Sequence, residues 1–199
     1  MAKRILDLIF SLLGLLFFWD VLAALAVWVK LDSPGPVLYR GKRVGKDARL
    51  FHIYKYRTMV VGAESQGPAV TYRDDPRITR AGMVLRRYKL DELPQIFNVI
   101  KGEMSWVGPR PEDPKYVALY NEEQRQVLSV KPGVTGPTQL KYRDEASMLE
   151  GRSVDEEYVS HFMPEKLKSD LEYVRTRSLL TDLKILWQTA TTMLSGGGD

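Results

Sequence analysis

The sequence predicts a small mixed α/β domain carried on an N-terminal membrane helix, and three patterns lead to that fold class. The first is an almost continuous apolar run from Ile5 to Val29, ILDLIFSLLGLLFFWDVLAALAVWV. The second is a pair of short alternating segments, Val37-Leu38-Tyr39 and Leu50-Phe51-His52-Ile53-Tyr54, with turn residues between Gly41 and Asp47. The third is a C-terminal stretch, Glu165 to Leu194, where apolar residues recur at helical spacing from Leu167 and Leu171 through Leu183, Leu186 and Trp187 to Met193. The division that follows is a membrane-anchoring helix over 1–31, a domain over 32–194 and a flexible tail over 195–199.

Composition narrows the chemistry. The chain has 199 residues, 44% hydrophobic and 27% charged, with a formal net charge of +4. That balance describes a folded protein with room for one compact domain and an accessory element. There are no cysteines and only two histidines, His52 and His161. Disulfides, thiolate metal sites and multi-histidine metal sites are therefore excluded. Between Lys30 and Met59, eight basic residues (Lys30, Arg40, Lys42, Arg43, Lys46, Arg49, Lys55, Arg57) face only Asp32 and Asp47. Such a block suits an anionic partner. Aromatics do not interleave with it as an RNA-binding strand requires, and neither a P-loop nor a Rossmann glycine pattern is present, so no nucleic-acid partner is expected.

The apolar run would form a helix of roughly 38 Å, longer than the ~30 Å hydrocarbon core of a bilayer. Asp20 lies near its middle, where an ionised carboxylate facing lipid costs about 2.5–3.5 kcal/mol. Both flanks are basic, with Lys3-Arg4 before the run and the larger block after it. A helix that enters, breaks at Trp19-Asp20 and leaves on the same side keeps both flanks in the cytoplasm, with Asp20 bonding backbone groups freed at the break. A tilted span with Asp20 protonated or buried in an oligomer fits the composition equally well.

Beyond the anchor, Ser33-Pro34-Gly35-Pro36 cannot continue a helix. A small hairpin follows, then a polar loop from Val60 to Ile78. Ala81 to Tyr88 reads as a helix. A second runs from Leu90 to Ile100, with Leu93, Ile96, Phe97 and Ile100 on one face and Gly102 as its stop. Val107-Gly108-Pro109-Arg110-Pro111 reads as a rigid extended loop, Tyr116 to Val130 as a charged helix, and Lys131 to Pro137 as a turn-rich loop. The basic C-terminal helices suit either the core or the membrane interface.

Asp91-Glu92 leads the candidates for chemistry. Adjacent acids at a helix start are most often an N-cap and a favourable first turn. The functional alternative is a nucleophile or metal ligand with a neighbour that tunes it, beside Arg86, Arg87 and Lys89. Arg110, held between two prolines, presents a guanidinium fork matched to phosphate oxygens, unless it is a solvated corner. Alternation puts Lys55 and Arg57 on one strand face, which either binds phosphate or is solvated. Arg86 and Asp170 carry no local signature.

Read together, Lys3-Arg4-x-x-Asp7, Ser33-Pro34-Gly35-Pro36-Val37, Lys55-Tyr56-Arg57-Thr58-Met59, Asp75-Pro76-Arg77-Ile78-Thr79-Arg80, Leu90-Asp91-Glu92-Leu93-Pro94-Gln95, Gly102-Glu103-Met104-Ser105, Val107-Gly108-Pro109-Arg110-Pro111, Lys131-Pro132-Gly133-Val134-Thr135-Gly136 and Asp182-Leu183-Lys184-Ile185 occur in the order seen in a known family. The chain resembles the bacterial sugar transferases, monotopic phosphoglycosyl transferases of the small catalytic form, from Lys3-Arg4 to about Leu194.

The resemblance implies a re-entrant helix with the catalytic domain on the cytoplasmic face of the bacterial inner membrane. It implies that Asp91 attacks the β-phosphate of a UDP-sugar, releases UMP and hands the phosphosugar to polyprenyl (undecaprenyl) phosphate, an early membrane step of polysaccharide synthesis. Glu92 would assist and Mg2+ would sit at Asp91. Lys55, Arg57, Arg86 and Arg110 would lie near phosphates, with Asp170 at the site's edge. A homodimer is left open. Many members have Ser-Pro at the helix break where this chain has Trp19-Asp20, so the kink must come from elsewhere. The region from Thr135 to Asp144 also differs from the common form, which leaves the sugar open. Two rival functions are a non-catalytic module binding anionic lipid and a glycosyltransferase that releases UDP.

Overall fold

A computed structural model of the chain describes residues 1–68, 70–72, 74–143 and 154–194. It is a mixed α/β protein with one long apolar helix and small sheets. Helix α1 (Ala2–Asp32) is long and apolar enough to cross a membrane. Its pattern is inverted relative to a soluble helix. Buried positions include Asp7 and Ser11, while Leu12, Leu13, Leu16, Phe17, Phe18 and Trp19 are exposed. Phe18 leaves helical geometry (φ −124°, ψ 16°), and the Asp20 carboxylate accepts the Val21 N–H at 2.8 Å. This departure from helical geometry lies one residue before the Trp19-Asp20 pair at which the sequence reading put a break, and an aspartate bonds backbone beside it.

Both ends of α1 are fastened to the same domain. Near the start, Lys3 donates to the Val107 carbonyl, and Arg4 donates to the carbonyls of Val99 and Ile100. Past the kink, Leu25 and Val29 pack with Tyr56 and Leu85, and the Tyr56 hydroxyl donates to the Leu22 carbonyl. Lys3 and Arg4 are therefore structural ties as well as a basic flank.

Strands β1 (Leu38–Val44) and β2 (Leu50–Tyr56) form the expected hairpin, in register from Leu38↔Tyr56 to Val44↔Leu50. Phe51 and Ile53 face the core while His52 is exposed, as period-two alternation requires. The loop that follows is fastened by Arg77, which forks onto Asp75 and donates to the carbonyls of Ala63 and Pro68. Helix α2 (Arg80–Arg87) is capped by the Thr79 hydroxyl, which accepts from the Gly82 N–H.

Three sequence readings change. The segment read as one helix from Leu90 divides into a 3-10 turn (Leu90–Gln95) and helix α3 (Ile96–Lys101), because Pro94 lacks the N–H a continuous helix needs. Gly102 ends α3 at φ +84°, as expected. The charged helix from Tyr116 to Val130 becomes helix α4 (Pro114–Val117) and a 3-10 turn (Gln124–Ser129). Asn121 and Gln124 exchange side-chain bonds with each other's backbone N–H, starting the chain afresh there. The Lys131–Pro137 stretch holds strand β4 (Gly133–Thr135), parallel to β3 (Ser105–Val107), and leads into helix α5 (Pro137–Lys141). Gly108 and Gly133 allow that pairing, since a Cβ on Gly133 would lie 2.1 Å from the Gly108 nitrogen.

The C-terminal stretch resolves into helix α6 (Val154–Glu157), a π-helical turn (Tyr158–Phe162), helix α7 (Met163–Thr176) and helix α8 (Leu179–Leu194). Helix α7 belongs to the core, packing Leu167 and Leu171 with Tyr116, Tyr120 and Phe162. Helix α8 divides its stripe, burying Ile185 while Leu180 and Trp187 stay exposed. Asp144 and the tail 195–199 lie outside the described residues.

Candidate active site

The site is built around the turn that joins α2 to α3. Helix α2 is pinned at its start, where the Thr79 N–H donates to the Thr58 carbonyl. A Cβ on Gly82 would sit 2.1 Å from that same oxygen, so the helix backbone lies directly on the chain leaving β2. Lys89 then adopts a left-handed conformation (φ 57°, ψ 21°) and turns the chain into Leu90–Gln95. On the far side, the fully buried Asn98 accepts the Tyr54 N–H at 3.0 Å and donates to the His52 carbonyl at 2.8 Å. It also donates to Glu103. One amide thus fastens α3 to the backbone of β2 and brings Lys55 to face the Asp91-Glu92 turn.

The two carboxylates of that turn live differently. Glu92 accepts from the Lys55 ammonium at 2.6 Å, and the Arg110 guanidinium lies 3.8 Å from the same oxygen. Burial works against its charge, but Lys55 and Arg110 overcome that and hold its pKa down to about 2. Asp91 is 6% exposed, and its carboxylate makes no hydrogen bond among the described residues. Burial pushes its pKa up and the charge of Glu92 adds to this, with Lys55, Arg86 and Lys89 pulling the other way. Asp91 does not cap the turn, so the N-cap reading falls: the capping position is Lys89, and no side-chain bond is made there.

Arg110 follows β3, and its position depends on α7. Its backbone N–H donates to Asp170 at 3.3 Å, and the Thr138 hydroxyl donates to the other Asp170 oxygen. Burial lifts the Asp170 pKa to about 7 against these two bonds and the charges of Lys166 and Arg110. Glu112 accepts from the Tyr158 hydroxyl, and Tyr158 in turn accepts from the buried Lys166 at 3.1 Å. Arg86 reaches toward Asp91 from α2, steadied by bonds to the hydroxyls of Thr58 and Thr71, both 2.8 Å.

Asp91, Glu92, Lys55, Arg86 and Arg110 therefore meet in space, with Asp170 one step behind Arg110. Arg57 is not brought to this cluster, and its reading as a phosphate ligand gives way to a structural one. It is 5% exposed and donates to the carbonyls of Pro36, Ser33 and Val29 and to the Ser33 hydroxyl, closing the C-terminal end of α1. Strand β2 ends at Tyr56, so alternation no longer binds Arg57 to the face of Lys55. The basic block disperses as well: Arg43 pairs with Asp113 and Arg40 lies over Tyr54. Sequence reasoning missed Asn98 as the organiser of the site. Its buried place on a helix beside a strand edge has no local signal.

Residues 1–196 match the family model described as bacterial sugar transferase. The chain is 36% identical over 98% of its length to a UDP-N-acetylgalactosamine-undecaprenyl-phosphate N-acetylgalactosaminephosphotransferase of Aeromonas hydrophila. It is 38% identical over 95% of its length to a UDP-glucose:undecaprenyl-phosphate glucose-1-phosphate transferase of Escherichia coli. It covers 44% and 39% of those two proteins, about two fifths of the length of each. An exopolysaccharide production protein of Rhizobium leguminosarum is 38% identical and is covered over 96% of its length. The chain belongs to the bacterial sugar transferase family.

Proposed function

From membership of this family and the geometry of the Asp91 centre, we propose that the chain transfers a phosphosugar from a UDP-sugar to undecaprenyl phosphate. One observation carries the reading: two adjacent carboxylates with opposite commitments inside a ring of cations. Glu92 is occupied by Lys55 and faced by Arg110, so it orients those cations and does not react. Asp91 is buried, without a hydrogen bond among the described residues, and more basic than a free aspartate, which favours it as the nucleophile.

In the first step an Asp91 oxygen attacks the β-phosphorus of the donor. The bond from that phosphorus to the bridging oxygen breaks, and UMP leaves with its electron pair. In the second step a polyprenyl phosphate oxygen attacks the same phosphorus and displaces the Asp91 carboxylate. Lys55, Arg86 and Arg110 offset the charge gathered when an anion attacks a diphosphate.

The residues present suit a magnesium ion. Among the described residues no three metal-ligating side chains cluster. Mg2+ is usually held by one or two carboxylates together with substrate phosphates, and Asp91, with no hydrogen bond among the described residues, would be such a ligand. Bound there with the donor, the ion would screen the diphosphate charge.

A re-entrant α1 is part of this reading. The break at Phe18, the Asp20 bond, the apolar exposed middle and the attachment of both ends to one domain support it. Both ends then lie on the cytoplasmic side of the inner membrane, within reach of a lipid phosphate at the surface. The exposed Leu180 and Trp187 of α8 fit an interfacial face.

The test measures nucleotide release from a panel of UDP-sugars with magnesium and undecaprenyl phosphate, comparing the chain with Asp91→Asn. UMP that disappears in the variant is the expected result and identifies the sugar. UDP in place of UMP overturns the phosphosugar step.

A further inference from the structure

Lys89 is the one cation of the Asp91 centre whose backbone is strained. It occupies the left-handed region (φ 57°), just past the last turn of α2, a place where helices ordinarily put glycine. For a residue with a Cβ that conformation costs roughly 1–2 kcal/mol. Strain retained beside a reactive group is a pointer to function. The Lys89 side chain is partly buried, and its ammonium feels the charges of Arg110, Glu92, Asp91 and Lys55. It makes one hydrogen bond among the described residues, to the Arg143 carbonyl at 2.9 Å. An ammonium has three donors, so two are left for a ligand. Lys55 by contrast is committed to Glu92 at 2.6 Å.

We infer that Lys89 is a further phosphate-binding residue of this centre, its ammonium oriented by Arg143 and donating to a phosphate oxygen of a bound substrate. The inference rests on the phosphoryl-transfer reading above, since that reading supplies the phosphate. Both substrates carry one, and the experiment separates donor from acceptor.

The left-handed backbone provides a clean variant. Lys89→Gly removes the ammonium while placing the residue best suited to φ 57°, so folding should not suffer. Purified wild type, Lys89→Gly and Lys89→Arg would be compared by melting temperature, by calorimetric titration with UDP, and by the KM for polyprenyl phosphate. For Lys89→Gly we expect a melting temperature within about 2 °C of wild type or above it. Loss of one charge-assisted bond should weaken one of the two substrate constants about tenfold, and Lys89→Arg should largely restore it. Weaker UDP binding assigns Lys89 to the donor, and a raised acceptor KM alone assigns it to the lipid phosphate. Both constants within about twofold of wild type would overturn the inference, as would a large loss of stability in Lys89→Gly, which would make the Arg143 bond the residue's whole role. Lys89-dependent UDP binding without UMP release would overturn the transfer reading and leave Lys89 standing. UMP release indifferent to Lys89 would do the reverse, and a wild type that binds neither substrate would sink both.

Discussion

Two buried carboxylates, Asp7 and Asp91, are nearly equal in exposure, 5% and 6%, and opposite in what surrounds them. Asp7, in the second turn of α1, accepts from the Ser105 hydroxyl at 3.0 Å and from the Trp106 N–H at 3.1 Å. The Trp106 indole then donates to Ser11 and to the Asp7 carbonyl. The result is a closed polar bolt between the membrane helix and β3. Asp91 has charges around it but no hydrogen bond among the described residues. A buried acid that accepts hydrogen bonds is tied into the fold, whereas one set among cations without such bonds has the surroundings a reactive group needs.

Asp91→Asn should give the largest effect. On the proposed mechanism this variant removes the nucleophile, and UMP release should fall by about 10³-fold or more while the fold persists. Stability should not fall, because the amide removes a buried charge. The sign follows from the raised pKa: the group's contribution to stability is present below its unfolded value and is lost as pH rises through its folded one. The melting temperature of the variant should therefore gain on wild type as pH increases. A variant that unfolds would place Asp91 with Asp7 and erase the contrast.

Glu92→Gln comes next. It removes the anion that orients Lys55 and Arg110, and we expect kcat/KM to fall by about 10–100-fold. Unchanged kinetics would mean that the cations hold their places unaided.

Asp7→Ala should act on the other side of the comparison. It leaves two donors without their carboxylate, at a cost of about 1–3 kcal/mol, seen as a lower melting temperature. Activity per folded molecule should change far less than in Glu92→Gln. A large kinetic defect at full stability would mean that the bolt also shapes the Arg110 loop.

Asp170 sharpens the rule as an intermediate case, bonded on both oxygens yet lifted to about 7 by burial. Its unfolded pKa is about 3.9, so the folded chain holds the extra proton between these values. Stability should decline as pH rises from about 4 to about 7. Asp170→Asn should flatten that part of the melting-temperature profile, and a profile of unchanged slope would remove Asp170 from the titrating set.

The smallest effect belongs to Asp20→Ala. Loss of one bond to the Val21 N–H at the kink should lower stability by about 0.5–2 kcal/mol, measured in detergent micelles.

Much of this was legible from residue order. The apolar run, the hairpin, the helix before Asp91, the Gly102 stop and the break beside Trp19-Asp20 are local, and each follows from period, turn chemistry or a misplaced charge. Asp91 and Glu92 stood out in the sequence as an acidic pair beside basic residues, although that context favoured a cap that the backbone does not use. Arg57 was misread because alternation was carried one residue past the end of β2. The long helices failed at Pro94, which lacks the N–H a helix needs, and at Asn121, whose side-chain exchange with Gln124 starts the chain afresh.

Which parts are apolar, where the chain can turn and which side chains can carry charge depend on neighbours along the chain, and residue order is enough to give them. The partners come from the packing of distant segments. Lys55 reaches Glu92 across 37 positions, Asn98 reaches Tyr54 across 44, and Asp7 reaches Ser105 across 98. Such pairings depend on three-dimensional packing, and they settle whether a buried carboxylate is tied down or left to react.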